Sequence, residues 1–355
     1  MTILNSEHRP KVAVVLPVYN VQKYLRTCLN SIISQKYENF VVIAVDDGST
    51  DDSFQILKEY QRKDCRIFVE HKDNGGVSSA RNFALDFIDN YVQNCKYICF
   101  IDSDDYISNE YIEKFVYSLE KFNVDYGVCS FRGFNKSGFS NLVGPFPQLR
   151  LLNQDEIAAQ FFHISLNTGR GRKGDLSTSL FLNNRFFSYS CLRGLRFNTK
   201  LRACEDQDFF IRSIPRLRSG VLIPDVLFFY RRRKTSLSNS NFAKKYDLDV
   251  YRVFYKNRNQ YCKSIRIGIQ MEFLNHLIQN LFTVLASKAS LHEKRREYNN
   301  TLSILEDEFE FPFNDSMKTK ITIVKKGFVV SCIWATLRFT VKQIRNGVRT
   351  LKFYN

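Results

Sequence analysis

Four short runs rich in β-branched residues alternate with helix-type patterns over the first third of the chain. The runs are KVAVVLPV (11–18), FVVIAVDD (40–47), RIFVE (66–70) and YICFID (97–102). Between them, apolar residues recur at three- and four-residue spacing, and one helix is predicted from Val77 to Tyr91. This alternation predicts an open α/β sheet, in which ligands bind at the carboxyl ends of the strands.

The composition is that of a globular protein. Of the 355 residues, 44% are hydrophobic and 14% aromatic, which argues against long disordered segments and allows about two or three domains. The start, MTILNSEHRP, lacks the apolar core of a secretory signal, which predicts a cytoplasmic protein. Nine cysteines without paired metal-ligand spacing indicate reduced residues and no disulfide framework.

Charge is divided unevenly along the chain. The net charge is +16, yet residues 1–110 carry 12 Lys and Arg against 16 Asp and Glu, a balance of −4, so residues 111–355 carry +20. A basic part of this size indicates either a polyanionic partner, such as nucleic acid or anionic lipid, or a solvated basic surface.

Three carboxylates crowd the end of the fourth run, in FIDSDD. Asp102, Asp104 and Asp105 are close enough in sequence to disfavour one another's ionisation. A divalent cation would offset that repulsion, and Mg²⁺ and Mn²⁺ favour oxygen ligands. No G-x-G-x-x-G motif follows the first strand, so if the ligand carries phosphate, such a metal would have to meet its charge. The alternative is an acidic cap on a helix that begins near Ser108.

Three segments within about residues 10–130 resemble a known family by their order and spacing. They are VAVVLPVYNVQKYLRTCLNSIISQKYENFVVIAVDDGSTDDS, NGGVSSARNFAL and FIDSDDYISNEYIEKF. They resemble the nucleotide-sugar-binding half of a family 2 glycosyltransferase, of the type that builds bacterial cell-surface polysaccharides. The resemblance implies a GT-A fold, a Rossmann-like open sheet. It also implies an inverting transfer of sugar from a nucleoside diphosphate, with UDP expected, that uses Mn²⁺ or Mg²⁺.

The resemblance also implies roles for individual residues. Pro17 and Tyr19 would line the nucleoside pocket, Asp47 would bond the base edge, and Asp102 would lie near the ribose. The implied donor-binding residues are Pro17, Tyr19, Asn20, Asp47, Gly75, Arg81, Asp102, Ser103 and Arg233, and the metal ligands are Asp104, Asp102 and Asp105. Each has an ordinary alternative: Tyr19 as a core aromatic residue, Asp47 as a turn residue, Arg81 as a surface arginine.

Two later segments complete the resemblance. LRACEDQDFFIRSI (201–214) is similar to the family's Glu-Asp motif, in which Asp206 would be the general base and Glu205 would orient the acceptor or brace Asp206. The alternative is an acidic helix start. YRRRKTSLSNS (230–240) is similar to the end of the catalytic domain, where Arg233 would contact the diphosphate. Arg231, Arg232 and Lys234 are assigned to the solvated basic surface.

The resemblance ends near residue 245, and helical patterns follow. We predict a catalytic domain over 1–240, divided into a nucleotide-sugar half (10–130) and an acceptor half (131–240), then a helical extension (241–315). The tail, 316–355, holds nine Lys and Arg and no acidic residue. Its apolar stripe comprises Ile333, Trp334, Leu337, Val341, Ile344, Val348 and Leu351. Such a tail either lies on an anionic membrane surface or packs as an ordinary amphipathic helix.

Three other classes of function compete with glycosyl transfer. A nucleic-acid-binding protein explains the basic part but not the ordered acidic motifs, so no nucleic-acid partner is expected. A metal-dependent phosphatase also uses clustered aspartates, and a carbohydrate-binding module would not need both a metal site and a base. The expected enzyme is a hexosyltransferase or N-acetylhexosaminyltransferase. Its acceptor would be a cell-surface glycan or lipid-linked oligosaccharide, as in capsule or lipopolysaccharide. The enzyme itself would be cytoplasmic or peripheral on the inner face of the cytoplasmic membrane.

Overall fold

The structure is a computed structural model, which describes residues 11–135, 138–143, 148–162, 182–201, 204–232, 251–306 and 315–335. The described residues from 11 to 232 form one compact unit, and those from 251 onward form a second. Residues 233–250 lie outside the described residues, so the predicted boundary at residue 240 stays a prediction.

The first unit is built on a mixed sheet of ten strands. They are β1 (Lys11–Val18), β2 (Phe40–Asp46), β3 (Ile67–His71), β4 (Cys95–Phe100), β5 (Tyr106–Ile107), β6 (Tyr126–Asn135), β7 (Gly138–Val143), β8 (Arg150–Asn153), β9 (Arg185–Ser188) and β10 (Ser219–Arg231). The order along the sheet is β3-β2-β1-β4-β9-β6-β10-β5, with β7 on β6 and β8 on β10. The first four strands pair in parallel, which confirms the predicted open α/β sheet.

Seven α-helices accompany the described strands. They are α1 (Gln22–Ile33), α2 (Ser53–Lys63), α3 (Val77–Tyr91), α4 (Tyr111–Phe122), α5 (Gln154–Phe161), α6 (Tyr189–Leu192) and α7 (Glu205–Ser213). The predicted bounds of α3 are confirmed. Helix α4 begins at Tyr111, not near Ser108, and its N-terminal flanking residue is Glu110. The acidic cluster after β4 therefore does not cap this helix, and that alternative is wrong.

The core lies on both sides of the parallel strands. Strand β1 pairs with β2 on one side and β4 on the other, and Val12 to Val18 are buried, as expected for a central parallel strand. Helix α1 buries Leu25 and Leu29 against this sheet, and a fully buried leucine contributes roughly 1.5–3 kcal/mol to stability. Packing of this kind fixes the carboxyl ends of the strands as a rigid platform.

The second unit is helical over the part of the chain that is described, as predicted. Its helices are 251–256, α8 (Lys263–Ala286), α9 (Leu291–Ile304), α10 (Asp315–Lys325) and 328–335. Helix α10 buries Met317, Ile321 and Val324 on one face, and Tyr298 donates a hydrogen bond to the Val324 carbonyl at 2.9 Å. The first part of the predicted tail thus packs within this unit. Residues 336–355, with most of the predicted stripe, lie outside the described residues.

Trp334 of the predicted tail is partly exposed, and its ring centroid lies 4.5 Å from that of Phe282. Its place on a lipid-facing stripe stays a prediction. Within the described ranges, no helix is both long enough and apolar enough to span a bilayer.

Candidate active site at the carboxyl ends of the strands

The segments that follow β1 and β2 are held together by polar contacts. The Asn20 backbone N–H donates to Ser49 Oγ at 3.0 Å, and Asn20 Oδ1 accepts from the Thr50 N–H at 2.8 Å. Asn20 has a positive φ of 50°, which asparagine tolerates better than most residues. Pro17 is buried in β1, whereas Tyr19 is 49% exposed. Tyr19 is therefore no core aromatic residue, and its ring is available to a ligand at this edge.

Asp47 organises the loop that leads into α3. Its Oδ1 accepts from Lys72 Nζ at 2.6 Å and from the Gly75 N–H at 3.0 Å, and its Oδ2 accepts from the Gly76 N–H at 2.7 Å. A Cβ at Gly75 would lie 2.7 Å from Ser79 Oγ, so the loop needs glycine there. Each carboxylate oxygen can accept a further hydrogen bond. The predicted contact of Asp47 with a base therefore stays a prediction.

The acidic cluster after β4 divides into two environments. Asp105 is buried, and its Oδ1 accepts from the Arg231 N–H at 2.7 Å, while its Oδ2 finds no partner among the described residues. Burial, together with the charges of Asp104 and Asp102, raises the pKa of Asp105 well above its ordinary value. Asp102 and Asp104 are partly exposed, and Ser103 between them is buried. Asp105 thus faces the interior of the unit, away from solvent.

The donor atoms of this cluster fit a hard divalent cation. In the described part of the chain, no three His, Cys, Asp or Glu side chains come together as a complete metal site. Mg²⁺ and Mn²⁺ sites commonly take one or two carboxylates and complete the shell with water and substrate phosphates. Asp102 and Asp104 would supply these carboxylate ligands. A bound cation would relieve the mutual repulsion of the acids in this cluster.

Arg81 connects the two acidic motifs. Its side chain is only 2% exposed, with Nη2 3.0 Å from Asp102 Oδ1 and Nη1 2.5 Å from Asp206 Oδ1. Glu205 Oε1 lies 3.6 Å from Nη1. Burial alone would lower the pKa of Arg81, but Asp206, Asp102 and Glu205 together raise it, so the guanidinium stays charged. The alternative of a surface arginine is wrong, because Arg81 is buried between carboxylates.

Asp206 has the character of a base poised near neutral pH. It is the second residue of α7, and its side chain is 15% exposed. Burial raises the pKa of Asp206, Arg81 opposes this, and Glu205 and Asp102 add to the rise, which brings the pKa to about 7. The acidic start of α7 is real as well, since Asp208 pairs with Arg212 at 2.5 Å within the helix. Glu205 and Asp206 belong to the same acidic first turn, so the role of Asp206 as a base stays a prediction.

Sequence reasoning missed two residues that hold these acids. Asn183 Nδ2 donates to Asp102 Oδ2 at 2.7 Å, and no motif around Asn183 signals this contact. Arg231 was assigned to the solvated surface, but its Nε donates to the Asp104 carbonyl at 2.7 Å. The Arg231 guanidinium also lies over the rings of Tyr24 and Phe134. That assignment is wrong, because Arg231 holds the acidic loop. Arg233 and Lys234 lie outside the described residues.

The open α/β sheet, the acidic loop after β4 and the acidic start of α7 agree with the GT-A fold that the resemblance implies. Residues 13–186 match the model of "Glycosyl transferase family 2". This segment is therefore a glycosyl transferase family 2 domain.

Relatives are found among bacterial glycosyltransferases. The chain is 41% identical over 127 residues to "Glycosyltransferase GlyA" of Streptococcus pneumoniae serotype 4, covering 36% of this chain and 18% of that protein. It is 29% identical over 238 residues to "Minor teichoic acid biosynthesis protein GgaB" of Bacillus subtilis, covering 65% of this chain and 24% of that protein. The chain thus spans less than a quarter of the length of each of these two relatives.

Solved structures share the fold. TarS 1–349 of S. aureus, crystallised with UDP-GlcNAc, has a TM-score of 0.66 and 20% identity, covering 95% of this chain and 92% of that one. The mannosyltransferase PcManGT of Pyrobaculum calidifontis, with GDP-Man and Mn²⁺, has a TM-score of 0.51 and 15% identity, covering 93% and 88%. Likeness at this level of identity establishes the fold alone, and it agrees with the GT-A prediction.

Proposed function

We propose that the chain transfers a sugar from a nucleoside diphosphate, with UDP expected, to an acceptor hydroxyl with inversion at the anomeric carbon. One observation carries the proposal: a buried arginine joins the acid after β4, Asp102, to a carboxyl group of raised pKa, Asp206. The first acid suits a donor and its metal, and the second suits a base. A binding module needs no such pair.

Each of the acids has a role in this reaction. Asp206 takes the proton of the acceptor hydroxyl as its oxygen attacks the anomeric carbon from the side opposite the diphosphate. Glu205 steadies Asp206 and the acceptor from the same turn of α7. Asp104 and Asp102 would hold Mn²⁺ or Mg²⁺, which when bound supplies positive charge to the departing diphosphate. Direct displacement by the acceptor inverts the anomeric centre.

The donor and acceptor classes follow from the resemblance and from the relatives. TarS binds UDP-GlcNAc and PcManGT binds GDP-Man with Mn²⁺, and GgaB is a teichoic acid biosynthesis protein. These support a hexosyl or N-acetylhexosaminyl donor and a cell-surface glycan or lipid-linked acceptor. Tyr19 and Asp47, at the ends of β1 and β2, and Gly75, in the loop between β3 and α3, are proposed to hold the nucleoside, with Arg233 on the diphosphate.

A screen of nucleotide sugars tests the proposed function directly. The protein is incubated with Mn²⁺ and UDP- or GDP-linked sugars, and release of the nucleoside diphosphate is measured with and without glycan acceptors. We expect release with one donor class and stimulation by an acceptor. Phosphate release from simple phosphate esters without any sugar would instead establish a metal-dependent phosphatase, and inertness toward every nucleotide sugar would reject the proposal.

The pKa of Asp206 sets the expected pH dependence. A general base works only when it is deprotonated, so activity is present above pH 7 and is lost as the pH falls through about 7. Because kcat/KM reports groups of the free enzyme, we expect kcat/KM to fall about tenfold per pH unit below that point. The Asp206→Glu variant, whose carboxyl is displaced, should move the midpoint. A flat profile between pH 5.5 and 8.5 would contradict the assignment.

We further propose that the second unit lies on an anionic membrane surface. The helix 328–335 turns Val329, Val330 and Ile333 to solvent, with exposures of 67%, 41% and 57%. The cations Lys326 and Arg295 line the same surface pocket as Val329 and Val330. Exposed apolar side chains beside cations suit the boundary between headgroups and acyl chains. Near an anionic surface, each Lys or Arg contributes about 1 kcal/mol to the free energy of binding.

Vesicle sedimentation tests this placement. Cutting the chain after Asp315 would remove the packed face of α10 as well, so point substitutions are the cleaner test. At low salt, the full chain should sediment with phosphatidylglycerol vesicles, and Val329→Asp with Ile333→Asp should abolish that binding. Val253→Asp, at an equally exposed valine outside this helix, is the matched control. Equal sedimentation of all three proteins would reject the proposal.

A further inference from the structure

Four hydrogen bonds close a ring that passes through two carboxylates of the candidate site. Arg81 donates to Asp102 Oδ1 at 3.0 Å and to Asp206 Oδ1 at 2.5 Å. On the other side, Asn183 Nδ2 donates to Asp102 Oδ2 at 2.7 Å, and the Leu182 N–H donates to Asp206 Oδ2 at 3.4 Å. Every oxygen of both carboxylates therefore receives a hydrogen bond from the ring.

Two separate elements supply the donors of this ring. Helix α3 supplies Arg81, and the turn before β9 supplies Leu182 and Asn183. The acids come from a third and a fourth element, the loop after β4 and the start of α7. Since none of these elements adjoins another in sequence, local structure alone does not fix the position of one carboxylate relative to the other. The ring does so across the fold.

The orientation of Asn183 is fixed by chemistry. An ionised carboxylate only accepts hydrogen bonds, so the amide must turn its NH₂ group toward Asp102. Asn183 is fully buried, and its Oδ1 finds no partner in the described part of the chain. Its neighbour Asn184 is equally buried but donates to the Cys129 carbonyl at 2.8 Å, away from the ring. The chain thus places two buried asparagines side by side, and one of them contacts a site carboxylate.

We propose that Asn183 and Arg81 are positioning residues that fix the base Asp206 relative to the donor-side acid Asp102. This inference rests on the proposed function, since it assigns Asp206 to the acceptor and Asp102 to the donor. The reacting oxygen and carbon must be brought within near-attack distance, and a small misplacement of a catalytic group can cost about 10²-fold in rate. Both residues act through the carboxylates they hold, so their loss should lower kcat more than donor affinity.

Three variants and one control separate positioning from simple support of the fold. Asn183→Ala removes the donor, Asn183→Asp keeps the shape without donating, and Arg81→Lys keeps the charge without the two-pronged guanidinium. Asn184→Ala is the matched control, because it loses a buried hydrogen bond outside the ring. For the folded protein, we expect kcat to fall by up to about 10²-fold in the three ring variants. The donor KM should change little, and the control should keep the kcat of the unaltered protein.

The double variant Asn183→Ala/Arg81→Lys gives the sharper test. Residues that act as one unit are not additive, so the double variant should lose little more kcat than the worse single variant. Three results would each overturn the ring. The first is a double variant whose loss of kcat equals the product of the two single losses. The others are ring variants with a higher KM and unchanged kcat, or with the kcat of Asn184→Ala. If the unaltered chain turns over no nucleotide sugar, the proposed function fails by itself. Urea unfolding of the unaltered protein, Asn183→Ala, Arg81→Lys and the double variant then tests the ring, and additive losses of stability would overturn it.

Discussion

Replacing Asp206 by asparagine should reduce glycosyl transfer by about 10²–10⁴-fold, the usual loss for a missing general base, while UDP binding persists. The amide keeps the size of the carboxyl and can still meet Arg81, so the pocket should not collapse. It has no basic oxygen to take a proton at neutral pH. The measurements are kcat for transfer to an acceptor and the affinity for UDP with Mn²⁺ by titration calorimetry.

The matched control is Asp208→Asn, the same chemical change two residues further along α7. Asp208 pairs with Arg212 within the helix, so this change should affect stability slightly and turnover hardly at all. If Asp206→Asn retains the turnover of the Asp208 variant, the base lies elsewhere. Glu205, which lies 3.6 Å from Arg81, is then the next residue to test.

The second large effect concerns the metal. Transfer should require Mn²⁺ or Mg²⁺ and be abolished by a chelator, and Asp104→Ala should mimic that loss at moderate metal concentrations. The reason is electrostatic: the diphosphate must leave with its charge neutralised, and carboxylates alone repel it. Titration of Mn²⁺ binding in the presence of UDP, followed by calorimetry, checks the loss independently of turnover.

Asp225→Ala is a suitable control for the metal experiment, because Asp225 is a surface carboxylate whose ion-pair partner is Lys114 of α4. It should bind Mn²⁺ and turn over like the unaltered protein. Full activity of Asp104→Ala in the presence of chelator would show that the acidic loop has no metal role. In that case Arg231, which holds the loop through the Asp104 carbonyl, becomes the cation to examine.

Local pattern was sufficient for much of the first unit. The period of apolar residues predicts α3 from Val77 to Tyr91, and the structure has these bounds. The β-branched runs predict the first four parallel strands, because residues buried on both faces need no alternation. These features depend on neighbours in sequence, and sequence shows neighbours directly.

The hydrogen bonds and ion pairs of the site join residues far apart in sequence, which no local pattern reveals. Arg81 and Asp206 are separated by 125 positions, and no local pattern shows that Arg81 lies between the two acids. The predicted contact of Arg81 with the donor stays a prediction. Arg231 looked like part of a basic run, yet aromatic rings and a carbonyl hold it. Spacing also does not show what Trp334 packs against, and in the structure its ring contacts that of Phe282.

The position of β9 has a consequence for how the chain acquires its shape during synthesis. This four-residue strand lies between β4 and β6 and pairs antiparallel with both. A nascent chain that has not yet reached residue 188 therefore has two facing strand edges with nothing between them, and unpaired edges invite association with other chains. Closing the gap joins segments distant in sequence, which slows folding. The ribosome must release most of the first unit before its sheet can become continuous, so the early intermediate is the state most exposed to aggregation and to chaperone binding.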